Sequence, residues 1–179
     1  AGAQILDVNV GLPEINEPEL MKETVYQLQS ILDAPLQIDT TNMEAMEQAL
    51  RIYNGKPLIN SVNGKEEVMN DVFPLAAKYG GVIIALTLDE SGIPNNAHDR
   101  VEIAKKIIAR AADYGIASKD IIVDCLAMTV SSDSSSALVT LECLCELTKL
   151  GIKTSLGVSN VSFGLPARSI INSTFFAMA

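Results

Sequence analysis

Short apolar runs recur at intervals of a few tens of residues, and each closes on a polar side chain. Ile5-Leu6 leads to Asp7 and Asn9, Leu36-Gln37-Ile38 to Asp39, and Leu58-Ile59 to Asn60. Val82–Leu88 carries Thr87 and leads to Asp89, Ile121-Ile122-Val123 ends at Asp124, and Lys153–Val158 runs through Ser159 to Asn160. Most runs are continuous rather than alternating, which predicts parallel strands covered on both faces. Between them, apolar residues return at three- and four-residue steps, the period of a helix face. Leu20, Met21, Thr24, Val25, Leu28 and Ile31 form one stripe behind Pro18. Met43, Met46, Ala49, Leu50 and Tyr53 form the next, with Asn42 as its cap. Val68 to Tyr79 is a third, where Pro74 predicts a kink or a late start. Val101 to Ala111, Leu138 to Leu150 and a last helix from Pro166 to the end complete the series.

Strand, helix and strand in regular alternation predict one right-handed parallel sheet. Two α/β architectures fit: an open doubly wound sheet or a (β/α)8 TIM barrel. Polar residues at nearly every strand end favour the barrel, which gathers ligand contacts around its whole rim, whereas an open sheet concentrates them at one switch point. The first loop, Gly11-Leu12-Pro13, also lacks the Gly-x-Gly-x-x-Gly of dinucleotide folds. Six units are fewer than the ~250 residues of a typical barrel supply. Residues 1–179 are therefore expected to form one incomplete domain, about strand 2 to helix 7, with the first and last βα units outside it.

Composition narrows the function. The chain is 48% hydrophobic, consistent with a buried sheet, and no apolar stretch reaches the ~20 residues of a membrane span. Its net charge of −9, without a Lys/Arg cluster, argues against nucleic acid and against anionic membrane surfaces. One histidine and no Cys-x-x-Cys argue against a protein-built zinc site. Cys125, Cys143 and Cys145 read as reduced cytoplasmic thiols serving as small apolar residues, with Cys143 and Cys145 on different helix faces.

In a parallel β/α protein the carboxyl ends of all strands open onto one face. Asp7, Asn9, Asp39, Asn60, Asp124 and Asn160 would then converge on one concave surface, where carboxylates and amides can read the edge of a flat heterocycle. Asn42 is the better helix cap, which leaves Asp39 free for the pocket. Asn60 interrupts an apolar run, costly to bury unless paired, and its amide both donates and accepts. Asp124 can accept two hydrogen bonds from an amino-pyrimidinone edge. Gly157 and Gly164 allow close approach around Ser159 and Asn160. Arg168, a cation in the first turn of the last helix, opposes the helix dipole and invites a specific contact. His98 reads as a solvated loop residue, Asp89-Glu90 as a rim contact or a solvated loop, and Met43, Met46 and Met69 as core or interface filler.

Asp7-Val8-Asn9-Val10-Gly11, Gln37-Ile38-Asp39-Thr40-Thr41, Ile59-Asn60-Ser61, Ile122-Val123-Asp124 and, most specifically, Gly157-Val158-Ser159-Asn160-Val161-Ser162-Phe163-Gly164 resemble the pterin-binding barrel of methyltetrahydrofolate methyltransferases. That family includes the folate module of cobalamin-dependent methionine synthase and the methyltetrahydrofolate:corrinoid protein methyltransferases. The resemblance implies a cytoplasmic enzyme of one-carbon metabolism and methionine biosynthesis. Its reaction moves the N5 methyl of methyltetrahydrofolate to the cobalt(I) of a corrinoid (cobalamin) on a partner domain or protein. By that resemblance Asp124 holds the pterin 2-amino group and N3, Asn60 the other pyrimidine edge and Asp39 the region of N8. Asn160 swings in to bond N5, Asp7 and Asn9 form a polar floor, and Arg168 is a pocket arginine. Cys125 departs from the family, where Pro commonly follows the Asp. A homodimer is compatible with the resemblance. Dihydropteroate synthase shares the barrel but places a Lys on the pterin from its seventh strand, absent from Thr154–Asn160 here. A barrel aldolase would need a strand-end Schiff-base Lys, and Lys153 is at the wrong end. A non-catalytic folate-binding module remains a third reading.

Overall fold

A computed structural model describes residues 2–179. The strands are β1 (Leu6–Val8), β2 (Leu36–Asp39), β3 (Leu58–Asn63), β4 (Val82–Leu86), β5 (Ile121–Asp124) and β6 (Lys153–Ser155). The helices are α1 (Glu17–Ile31), α2 (Met43–Ile52), α3 (Glu66–Tyr79), α4 (Ala97–Asp113), α5 (Ser136–Lys149) and α6 (Arg168–Met178). Strand order follows chain order from β1 to β6, and every pairing is parallel.

That order decides between the two architectures. A doubly wound sheet reverses direction at a switch point and carries helices on both faces. Here the order never reverses, and α1 packs on α2, α2 on α3, α3 on α4 and α4 on α5. All of these helices therefore lie on one face of the sheet. The fold is a six-stranded arc of a (β/α)8 barrel.

The register shows which side chains share a face. Val8, Ile38, Ile59, Ile83 and Ile121 stand in one cross-strand row, and none is more than 5% exposed. They pack under the helices with Met21, Val25, Met46, Met69, Val72, Phe73 and Ile107, all fully buried. Each such side chain contributes about 1.5–3 kcal/mol of hydrophobic stabilisation. Alternate residues point the other way. Asp39, Asn60, Ile84 and Ile122 form the next row, and two residues further Leu86, Asp124 and Ser155 form another. The helices of the described residues cover one face only, and the other, the lumen side of a barrel, carries the polar strand-end residues.

Local chemistry explains the helix boundaries. Asn42 caps α2, its Oδ1 accepting from the N–H groups of Glu44 and Ala45 at 3.0 and 3.1 Å. Asn96 caps α4 through Asp99 N–H at 2.8 Å, which brings exposed His98 into the first helical turn rather than a loop. Helix α3 starts at Glu66 and runs through Pro74, not late. It stops at Gly80, whose φ of +78° only glycine adopts without cost. Met46 and Met69 are buried and Met43 packs at the core margin, as expected. Cys143 is buried while Cys145, two residues on, is exposed.

Two strand predictions shift. Asn60 stands inside β3 rather than at its end, where the register slips between Asn60 and Val62 and the Asn60–Ser61 peptide is cis. β6 ends at Ser155, and Val158–Ser162 forms a 3-10 turn instead of continuing the strand. There the Asn160 N–H returns to the Gly157 carbonyl at 3.1 Å, and the Phe163 N–H returns to the Asn160 carbonyl at 3.1 Å. These short-range bonds compete with the ladder.

Candidate functional site

The uncovered sheet face carries the site. At one edge, β1 and β2 place Asp7, Asn9, Gln37 and Asp39 together. The Asn9 amide donates to Asp39 Oδ2 at 3.0 Å, and its own Oδ1 accepts from the Gly11 N–H at 3.1 Å. Gln37 Nε2 donates to Asp7 Oδ1 at 2.6 Å. Desolvation raises the Asp7 carboxyl above its ordinary value; the Gln37 hydrogen bond pulls it down and the nearby Asp39 charge pushes it up. Behind this edge the Thr40 hydroxyl bonds Glu17 and accepts from the Asn42 N–H at 3.0 Å, tying the end of β2 to both flanking helices.

Asn60 lies beside Asp39 in the register, half-buried. Among the described residues its side-chain amide has no hydrogen-bond partner, while its main-chain carbonyl accepts from the Thr40 N–H at 3.1 Å. Asp124 lies farther round the arc, half-buried at the end of β5. Its Oδ1 accepts from the Leu126 N–H at 2.8 Å, while Oδ2 has no partner among the described residues. Burial raises the carboxyl above its ordinary value, and the Leu126 N–H offsets part of that rise. Thr87, fully buried, donates its hydroxyl to the Asp124 carbonyl at 3.1 Å and holds β4 to β5 at this level.

Asn160 is exposed on the 3-10 turn after β6, its amide unpaired among the described residues. A Cβ at Gly157 would come within 2.9 Å of its Nδ2, so the glycine makes room for the amide. Arg168 is not free for the pocket. It donates from Nη2 to the Ser159 carbonyl at 2.8 Å and from Nε to Ser162 Oγ at 3.0 Å, and Ser162 donates onward to Asn172 Oδ1 at 2.6 Å. These bonds hold the turn that carries Ser159 and Asn160. Thr129 and Ser131, from the Ser-rich β5–α5 loop, add hydroxyl bonds to the Phe163 carbonyl at 2.8 and 3.2 Å.

One residue passed over by the sequence reading stands out. Arg100, in the first turns of α4, is 2% exposed and donates to the carbonyls of Pro94, Cys125 and Leu126 at 2.9, 2.7 and 2.9 Å. A signal was available: Arg100 sits on the apolar stripe of α4, three and four residues before Ile103 and Ala104.

Open cavities of about 430 to 470 Å³ lie along the helices and their loops, lined for example by Glu47 and Arg51, by Asp89 and Lys106, or by Leu138 and Phe175. None of these involves Asp39, Asn60 or Asp124; those side chains border the open sheet face. Among the described residues no cluster of His, Cys, Asp and Glu could hold a metal, and no helix is long and apolar enough to cross a membrane. The arrangement offers two carboxylates and two amides with free donor and acceptor positions, suited to the edges of a planar heterocycle.

Comparison with known proteins agrees with this chemistry. The family model described as pterin binding enzyme matches residues 1–179. A methionine synthase of Mycobacterium leprae is 31% identical over 188 residues, covering 97% of this chain and 16% of that protein. A methylcorrinoid:tetrahydrofolate methyltransferase of Eubacterium limosum is 32% identical over 185 residues, covering 100% of this chain and 68% of that protein. Among solved structures, dihydropteroate synthase of Xanthomonas albilineans in complex with 7,8-dihydropteroate superposes with a TM-score of 0.76 at 20% identity, over 99% of this chain and 69% of that one. Yersinia pestis dihydropteroate synthase with a pterine-sulfa conjugate gives 0.76 at 18%, over 99% and 73%. At these identities the likeness concerns the barrel fold.

Proposed function

Because the chain belongs to the pterin-binding enzyme family, we propose that it binds methyltetrahydrofolate on the open sheet face and presents the N5 methyl for transfer to a corrinoid. The chain spans 16% of the methionine synthase and 68% of the corrinoid methyltransferase it resembles at 31% and 32% identity. Those two relatives are the support for methyl transfer. The observation that carries the reading is the placement of Asp39, Asn60 and Asp124 on one uncovered face.

In this reading Asp124, ionised, accepts from the pterin 2-amino group and N3–H, the bidentate match of a carboxylate to an amino-pyrimidinone edge. Its free Oδ2 and the second lone pair of Oδ1 are the acceptors that this match needs. Asn60 serves the other pyrimidine edge, donating to a carbonyl or accepting from N–H. Asp39, oriented by Asn9, lies toward N8, and Asp7 shares that polar floor. Asn160 reaches N5 from its turn, with Gly157, Ser159 and Arg168 setting the turn's position. The methyl acceptor is a corrinoid on a partner domain or protein, which supplies a cobalt(I) nucleophile. As the carbon–nitrogen bond breaks, its electron pair stays on N5, which takes up a proton from water. The Asn160 amide stabilises N5 by a hydrogen bond while Asp39 orders that water. The chain's main contribution is orientation, holding nitrogen, methyl carbon and incoming nucleophile in line.

The test is titration of the full chain with methyltetrahydrofolate by calorimetry, followed by incubation with free cob(I)alamin. Binding with formation of methylcobalamin is the expected result. Binding without demethylation would leave a folate-binding module, and no binding would end the reading. A dihydropteroate synthase activity is disfavoured by the absence of lysine from Thr154–Asn160.

A further inference from the structure

A guanidinium buried without an anionic partner is costly, several kcal/mol after relaxation, and an apolar side chain of similar size would fill the same space without that cost. Arg100 is such a group. Among the described residues it forms no ion pair, and desolvation pulls its pKa below the ordinary value. Its Nε donates to the Pro94 carbonyl at 2.9 Å, and its other bonds converge on the segment after β5. A single nitrogen, Nη1, reaches the Cys125 carbonyl at 2.7 Å, the Leu126 carbonyl at 2.9 Å and Thr140 Oγ1 at 3.4 Å. The Thr140 hydroxyl has two carbonyl acceptors within reach, Ser136 at 3.0 Å and Leu126 at 3.3 Å.

That segment is the turn on which Asp124 depends. Leu126 has φ +59°, a left-handed conformation that costs a non-glycine residue roughly 1–2 kcal/mol. The Leu126 N–H shares its peptide group with the Cys125 carbonyl, and it comes back to Asp124 Oδ1 at 2.8 Å. Two carbonyls of the turn point inward to Arg100 while its N–H points outward to the carboxylate.

We propose that Arg100 is a positioning residue for pterin recognition. By gripping the carbonyls of Cys125 and Leu126 it fixes the turn that occupies Asp124 Oδ1 and leaves Oδ2 aimed at the ligand. The influence is geometric. The Asp124 carboxyl is raised by burial and lowered by the Leu126 N–H. The ligand side of this inference rests on the pterin reading; the coupling of Arg100 to Asp124 does not.

The experiment follows the Asp124 carboxyl by carbon-13 NMR in the ligand-free full chain, its resonance assigned by loss in Asp124→Asn. In Arg100→Ala the Leu126 hydrogen bond is released, and the Asp124 titration midpoint is expected to rise by about half a pKa unit or more. Thr140→Val, which removes the hydroxyl shared by Arg100 and the Leu126 and Ser136 carbonyls, should give a smaller rise in the same direction and decides the matter if Arg100→Ala fails to fold. Methyltetrahydrofolate affinity should fall about tenfold in Arg100→Ala, the effect of one hydrogen bond's worth of misplacement. Millimolar ethylguanidinium should restore part of both signals. An Asp124 midpoint unchanged in the folded variants overturns the proposal, as does lost affinity without a change at Asp124. If the unmodified chain binds no folate, the functional reading falls, and the Asp124 titration still decides this one.

Discussion

The Asn9 amide donates to Asp39 Oδ2 at 3.0 Å across 30 residues of sequence, so the first two strand ends act as one polar unit. Asn9 in turn is held by the Gly11 N–H. On the proposed function, Asp39 meets the ligand and Asn9 orients it. Asp39→Ala should weaken methyltetrahydrofolate binding about 10- to 100-fold, the range for a hydrogen bond to a charged group. Asn9→Ala should cost less than tenfold. The double variant should bind no worse than Asp39→Ala, because Asn9 works through Asp39. Calorimetric dissociation constants for the four proteins test this; additive losses would mean that Asn9 contacts the ligand independently.

Asp124 sets a stability against a function. Burial holds its carboxyl above the ordinary value, so the folded chain takes up this proton at a pH where the unfolded chain does not. The folded state therefore binds more protons, and this contribution to stability is full below the unfolded value and lost as pH rises through the raised value. Ligand binding has the opposite sign: the ionised carboxylate is the acceptor, so affinity should fall as pH drops through the raised value. Asp124→Asn should remove both dependences. At pH 7 it should melt a few degrees higher, since a neutral amide is cheaper to bury, while losing about 100-fold in folate affinity. A melting point that falls, or unchanged affinity, contradicts the assignment.

Most of this face was legible because polar side chains that close apolar runs are conspicuous. Asp39 and Asp124 read directly as strand ends, and the register then set them on the same side. Asn60 was harder to place, because the slip between Asn60 and Val62 breaks the two-residue period just where it would be used. The sixth strand was read as Lys153–Val158, three residues too long; the local returns to the Gly157 and Asn160 carbonyls place Val158 in a 3-10 turn instead. Arg100 went unread, and Thr87 was noted at its strand end without a role, for another reason. Each bonds backbone carbonyls of β5 or the turn after it, and a side chain's partners among main-chain atoms leave no pattern in sequence.

Gly157 tests the Asn160 role. A methyl group there would stand 2.9 Å from Asn160 Nδ2 and must displace the amide. The backbone at Gly157 has φ −75°, which alanine accepts, so the fold should hold. Gly157→Ala is expected to lower the rate of methyl transfer to cob(I)alamin about tenfold or more with little change in folate affinity, because the N5 contact matters most as charge develops there. Single-turnover rates alongside calorimetry separate the two. Equal losses in affinity and rate would show that Asn160 serves ground-state binding instead.

Gly81 couples the covered face of the sheet to the open one through Ile59 and Asn60. A Cβ on Gly81 would lie 2.6 Å from Ile59 Cδ1 and 3.0 Å from its Cγ1, closer than carbon atoms tolerate. Ile59 is fully buried under the helices, and the next residue in β3 is Asn60, facing the other way. Gly81→Ala should therefore destabilise by about 1–3 kcal/mol through overpacking. Relief of the clash by moving β3 would displace Asn60, so folate affinity should fall as well, although Gly81 is far from any ligand contact. Ile59→Val removes the offending Cδ1 and alone should cost about 0.5–1.5 kcal/mol. Combined with Gly81→Ala it should recover both stability, by denaturant unfolding, and affinity, relative to Gly81→Ala alone. Recovery of stability without recovery of affinity would show that Asn60 is held by something other than the packing of Ile59.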